Sequence, residues 1–103
     1  FVRPRLAAYV GRHFEGIVAD LFDLFNTRGL LPFVYARIGT WWHRGDEIDI
    51  VCLSDDERRI LLCEVKWQDG VDATGVLERL REQAPNVAWH NDTRDEYFCV
   101  VAR

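Results

Sequence analysis

The chain has 103 residues, of which 49% are hydrophobic and four are Trp, with a formal charge of −4 and a sequence pI near 5.3. That length supports one small domain with one core. The acidic balance argues against a free-standing nucleic-acid binder, which carries a basic footprint, and neither a signal peptide nor an apolar run near the length of a membrane span is present.

Residues 1–5, with Arg3, Pro4 and Arg5, read as a linker remnant, and residues 6–103 as a single domain. The chain starts at Phe1 and holds no Met, which reads as a domain cut from a longer protein. From Leu6 to about Asn26 the spacing predicts a helix. Val10, Phe14, Ile17, Val18, Leu21 and Phe25 form its apolar stripe. Glu15 follows Phe14 by about 100°, at the border of that stripe, a position compatible with reaching the polar cluster at the edge of the sheet or with a solvated helix carboxylate. Asp20 and Asp23 are expected to face solvent, and Gly29 to provide a left-handed cap. Leu30 to Trp42 reads as a strand, clearest from Phe33. Trp41 and Trp42 then point to opposite faces, one of them into the core. His43-Arg44-Gly45-Asp46 is the turn that follows.

Glu47-Ile48-Asp49-Ile50-Val51 and Leu61-Leu62-Cys63-Glu64-Val65-Lys66-Trp67 read as two strands of an antiparallel hairpin, joined by the polar turn 54–59. By period-two alternation, Ile48, Ile50 and Cys52 share one face, and Asp49, Val51 and Leu53 the other. A register pairing Leu53 with Ile60 puts Val51 near Leu62, Asp49 near Glu64 and Glu47 near Lys66; a shift by two residues is also compatible with the pattern. In that register two carboxylates oppose each other at the end of an apolar face. Opposed like charges destabilise a sheet, and a divalent cation between them removes the conflict. All-oxygen ligation suits Mg²⁺ or Mn²⁺ rather than zinc. The alternative is a solvated face on which Lys66 is an ordinary ion-pair partner. Against it stand the apolar remainder of the face and the usage of basic residues: of 13 Lys and Arg, only Lys66 is lysine.

Val71 to Ala84 reads as a second helix, with Val76, Leu77 and Leu80 as its stripe and Asp72 or Thr74 as its cap. Arg79 and Arg81 decorate it. Val87 to His90 reads as a short extended piece, 91–95 as a polar loop, and Glu96 to Ala102 as the last strand. His43 and His90 read as solvated. The three cysteines, Cys52, Cys63 and Cys99, fall in strands without metal-ligand spacing; they read as buried reduced thiols and so as cytoplasmic. Helix, three strands, helix, strand makes an α/β domain with a mixed sheet and flanking helices. Neither a P-loop motif nor a nucleophilic triad is present.

The αβββαβ order, with an acid in the first helix, Asp49 in the second strand and Glu64-Val65-Lys66 in the third, resembles the PD-(D/E)xK nuclease superfamily and its restriction-endonuclease-like core. Ile38-Gly39-Thr40-Trp41-Trp42, Glu47-Ile48-Asp49-Ile50-Val51 and the Glu64-Val65-Lys66-Trp67 strand are more closely similar to the DUF234-type domain, found C-terminal to P-loop ATPases. The resemblance implies a nuclease-like domain hydrolysing phosphodiesters in DNA, branched DNA included. Asp49, Glu64 and the carbonyl of Val65 would hold Mg²⁺ or Mn²⁺, Lys66 would orient the attacking water, and Glu15 would be the first-helix acid. It also implies an attached N-terminal P-loop ATPase domain as partner, with oligomers open. Catalytically silent members make a second expectation: an interaction or nucleic-acid-binding module of the ATPase. A third is a small structural domain whose acids face solvent separately.

Overall fold

The structure, a computed structural model, describes residues 13–66 and 69–102, and for residues 13–17 and 19 the backbone alone. The linker 1–5 and the helix start at Leu6 lie outside the described residues. Within them the chain runs α1 (His13–Thr27), β1 (Arg37–His43), β2 (Asp46–Ser54), β3 (Arg59–Lys66), α2 (Ala73–Gln83), a 3-10 turn (Ala84–Asn86) and β4 (Asp95–Ala102). The sheet order is β1-β2-β3-β4. The first three strands form an antiparallel meander. β4 pairs parallel to β3, register-matched from Arg59↔Asp95 to Lys66↔Ala102, which the crossover through α2 makes possible. The expected α/β architecture with a mixed sheet is therefore the observed one. No helix among the described residues is long and apolar enough to cross a membrane.

A core layer lies on each face of the sheet. On one, Val18 and Phe22 of α1 pack with Phe33, Tyr35, Ile38, Ile50, Leu61 and Val65. On the other, Leu80 and Ala84 pack with Ile48, Val51, Ile60, Leu62 and Val87. Ile48, Ile60, Leu62 and Leu80 are fully buried, each side chain contributing about 1.5–3 kcal/mol relative to exposure. The α1 stripe keeps Val18, buried as expected, but its next core member is Phe22, whereas Leu21 is 41% exposed. Gly29 (φ +68°) does close α1, and Leu30 N–H reaches back to the Phe25 carbonyl at 2.9 Å.

The strand expected from Leu30 begins only at Arg37. Pro32 cannot donate to a ladder, and Asn26 occupies both backbone groups of Tyr35, accepting from its N–H at 2.8 Å and donating to its carbonyl at 3.0 Å. Asp23 is not a free solvent-facing acid, because it accepts the Tyr35 hydroxyl. Arg44 (φ +50°) and Gly45 (φ +86°) make the tight turn between β1 and β2, as that sequence predicts. Trp41 and Trp42 are both half-buried, so neither is a fully enclosed core residue; Trp41 packs on the α2 side.

The extended piece expected over 87–90 is instead an irregular loop, organised by a residue that sequence pattern left in a polar loop. The Arg94 side chain is 1% exposed. Its guanidinium donates to the carbonyls of Ala84 (2.7 Å), Val87 (2.7 Å) and Trp89 (2.9 Å), and to Glu96 (2.8 Å). One side chain thus satisfies the carbonyls at the end of α2 and in the connection to β4, which helix geometry otherwise leaves open.

Candidate functional site

Between Gly39↔Val51 and Trp41↔Ile48 the register of β1 on β2 slips by one residue. Thr40 alone therefore faces Asp49 and Ile50, a β-bulge, which turns side chains and often lies beside functional sites. The Thr40 hydroxyl donates to the Asp49 carbonyl at 2.9 Å and so satisfies a backbone acceptor at the bulge. The slip also corrects the expected alternation. Ile48 does not share a face with Ile50 and Cys52 but packs with Val51 on the α2 side.

On the other side of β2 the expected register holds: Leu53 faces Ile60 and Val51 faces Leu62. The backbone pairing ends at Ile50↔Cys63. Beyond it, the Asp49 carboxylate takes the place of a ladder acceptor, its Oδ2 accepting the Val65 N–H at 2.9 Å. Asp49 and Glu64 come close enough there for each to act on the ionisation of the other, and the Glu47 charge also acts on Asp49. Lys66 Nζ stands 3.9 Å from Glu64 Oε2.

The electrostatics follow from burial. The Glu64 side chain is 13% exposed. Desolvation first, and then the Asp49 charge, push its pKa up to about 7. Asp49 is also raised, by desolvation and then by Glu47, although the Val65 N–H pulls it down. Burial and their mutual repulsion thus bias both carboxyl groups toward the protonated form.

Asp49, Glu64, Val65 and Lys66 are thus brought into one place. The side chain of Glu15 lies outside the described residues; its backbone belongs to α1. Among the described residues no three His, Cys, Asp or Glu side chains converge as a metal-holding group. The donor set for a cation is therefore the Asp49–Glu64 pair. A hard cation such as Mg²⁺ is bound through one or two carboxylates and keeps several waters, and it would relieve the repulsion between the two acids. The residues present fit such an ion.

Glu64 and Lys66 also line an open cleft of about 310 Å³ against the start of α2, with Asp72, Gly75 and Arg79 on the facing wall. Asp72 caps α2 by accepting the Gly75 N–H at 3.2 Å. Sequence pattern left Arg79 among surface residues; only the crossover that folds α2 back beside β3 puts it on this cleft. Arg81, by contrast, sits over the Phe98 ring at 5.6 Å.

A mixed-sheet α/β domain with an acidic pair at a bulge and a lysine two residues on is the class that this fold and site define. The chain belongs to the DUF234 family, described as archaeal and bacterial proteins of unknown function, whose model matches residues 1–83. It is also 43% identical over 97 residues to an uncharacterized protein, MJECL04, of Methanocaldococcus jannaschii. That alignment covers 92% of the chain but 22% of the relative's length. No solved structure matches.

Proposed function

We propose that this is a nuclease-like domain for metal-dependent phosphodiester hydrolysis on DNA, working beside an attached P-loop ATPase domain as a PD-(D/E)xK-type module. The observation that carries the reading is the half-buried Asp49 carboxyl, bonded to the Val65 N–H, next to Glu64 and Lys66, which line the wall of a cleft. Asp49 and Glu64, with the Val65 carbonyl, would hold Mg²⁺ or Mn²⁺, which when bound supplies an acidified water and charge stabilisation for phosphoryl chemistry. Lys66 places an ammonium where the attacking water must be oriented and where negative charge develops on the phosphate. Arg79, across the same cleft, supplies a second cation for the phosphate backbone. The bulge fixes the Asp49 backbone through Thr40 and its carboxylate through Val65, so the acid is held before any ligand arrives.

A second reading, a catalytically silent interaction or nucleic-acid-binding module of the ATPase, is favoured by the net charge of −4 and by the Asp49 oxygen already committed to Val65. Titration calorimetry with MnCl₂, followed by cleavage assays on linear and branched DNA at low salt, separates the two. The nuclease reading expects Mn²⁺ binding that Asp49→Asn and Glu64→Gln abolish, and cleavage that Lys66→Ala abolishes while binding persists. Mn²⁺ binding without cleavage by the domain joined to its ATPase supports the silent module. No Mn²⁺ binding at millimolar concentration ends the metal-dependent reading.

A further inference from the structure

Cys63 and Cys99 face each other directly across the parallel β3–β4 ladder. Both side chains belong to the α1-side core layer, Cys63 within it and Cys99 packed against it. All three cysteines are free, and the pair differs in access: Cys63 is fully buried, whereas Cys99 is half-buried. From this geometry we propose that Cys63 and Cys99 form a reversible disulfide, a modification site that ties β4 to β3 beside Glu64.

Three facts support it independently of any nuclease chemistry. Adjacent strands lie about 4.7–4.9 Å apart, within the Cα separation that a disulfide spans, so the pair can be bridged. The two side chains lie in the same core layer, and the nearness of Cys63 lowers the pKa of Cys99 to about 7. Cys99 is therefore the more accessible thiol and the better nucleophile toward oxidant, and Cys63 is poised to resolve it. Cys52 is enclosed and its thiol is pushed up by burial, which leaves it a bystander.

The oxidant is a peroxide. The Cys99 thiolate attacks one peroxide oxygen, the O–O bond breaks, and a sulfenic acid forms as water leaves. The Cys63 sulfur then attacks the Cys99 sulfur, giving its proton to the departing hydroxyl as a second water. Two thiols lose two hydrogens and one peroxide becomes two waters. A small dithiol reverses the bond by exchange. Oxidation also consumes the Cys63 S–H, which lies 3.7 Å from the Glu64 carbonyl oxygen.

The test is mild hydrogen peroxide treatment of the purified chain, alkylation under denaturing conditions, intact mass and peptide mapping. The expected result is one alkylated thiol instead of three, a Cys63–Cys99 linked peptide, and return to three after dithiothreitol. Cys52→Ser should still form the bond and Cys99→Ser should not. If Cys99→Ser fails to fold, mapping of the wild-type chain decides. Three alkylated thiols after peroxide, a link through Cys52, or stable sulfinic acid at Cys99 with Cys63 free would overturn the proposal.

Discussion

The Thr40 hydroxyl and the Asp49 carbonyl are 2.9 Å apart, so an edge-strand side chain holds the backbone of the residue most central to the acidic site. The relationship exists because one residue of β1 faces two of β2. Replacing Thr40 with Val keeps the branched shape and removes the donor. The expected cost is about 1–2 kcal/mol, read by urea denaturation. If Asp49 is positioned through this contact, Mn²⁺ affinity falls as well, and unchanged affinity would show that the carboxylate is held by Val65 alone.

Stability should depend on pH through the acidic pair. An acid whose pKa rises on folding binds its proton more tightly in the native state. For Glu64 the stabilisation is full below its ordinary value of 4.5 and is lost as pH rises through about 7. Thermal midpoints in chelator should therefore drop between about pH 5 and pH 8, and Glu64→Gln should flatten that slope, a difference on the order of 1 kcal/mol at the alkaline end. Added Mg²⁺ or Mn²⁺ should raise the midpoint more at the higher pH, since the cation competes with protons for the two carboxyls. A slope of the opposite sign would mean that the pair is not desolvated.

Arg94→Met should be among the most destabilising substitutions available. It removes the donor to three carbonyls and leaves Glu96 without its partner. The loss of a buried, charge-assisted network of this kind costs about 3–5 kcal/mol. Circular dichroism melts check it, and Arg94→Lys should rescue little, because one ammonium cannot reproduce the fork.

The cap of α2 couples two residues. A Cβ at Gly75 would come within 2.7 Å of Asp72 Oδ2. Asp72→Ala should cost about 1 kcal/mol. Gly75→Ala should be unfavourable despite the better helix propensity of Ala, and the double variant should cost less than the sum of the two. Strict additivity in denaturant titrations would argue that the cap relaxes around the new methyl.

The hairpin of β2 and β3 was legible from its residues because alternation, a polar turn and an apolar face narrow the pairing to registers two residues apart, of which the Leu53↔Ile60 one is observed. The bulge is signalled only by Gly39, since Gly within a strand often marks one, and strict alternation puts Ile48 on the wrong face. Leu30 to Tyr35 has strand composition, but Pro32 and the Asn26 side chain remove the backbone groups a strand needs. Arg94 could not be found from pattern, because its partners come from residues 84, 87 and 89, brought together only after α2 turns back. Asp49, Glu64 and Lys66 could be found, since one hairpin register places all three. Arg79 needed the crossover.

The parallel pairing of β4 has a consequence for how the molecule assembles. β1 to β3 need only neighbouring segments to meet, whereas each β3–β4 pair, such as Cys63↔Cys99, closes a long stretch of chain around α2. Loop-closure entropy delays such contacts. The meander is thus the natural nucleus, and β4 docks late. Until it does, β3 presents Ile60 and Leu62 along an unsatisfied edge, a template for pairing with another chain. A chain stopped before Asp95 during synthesis would be left in that state, and it is the eight-residue strand β4 that covers the β3 edge of this sticky intermediate.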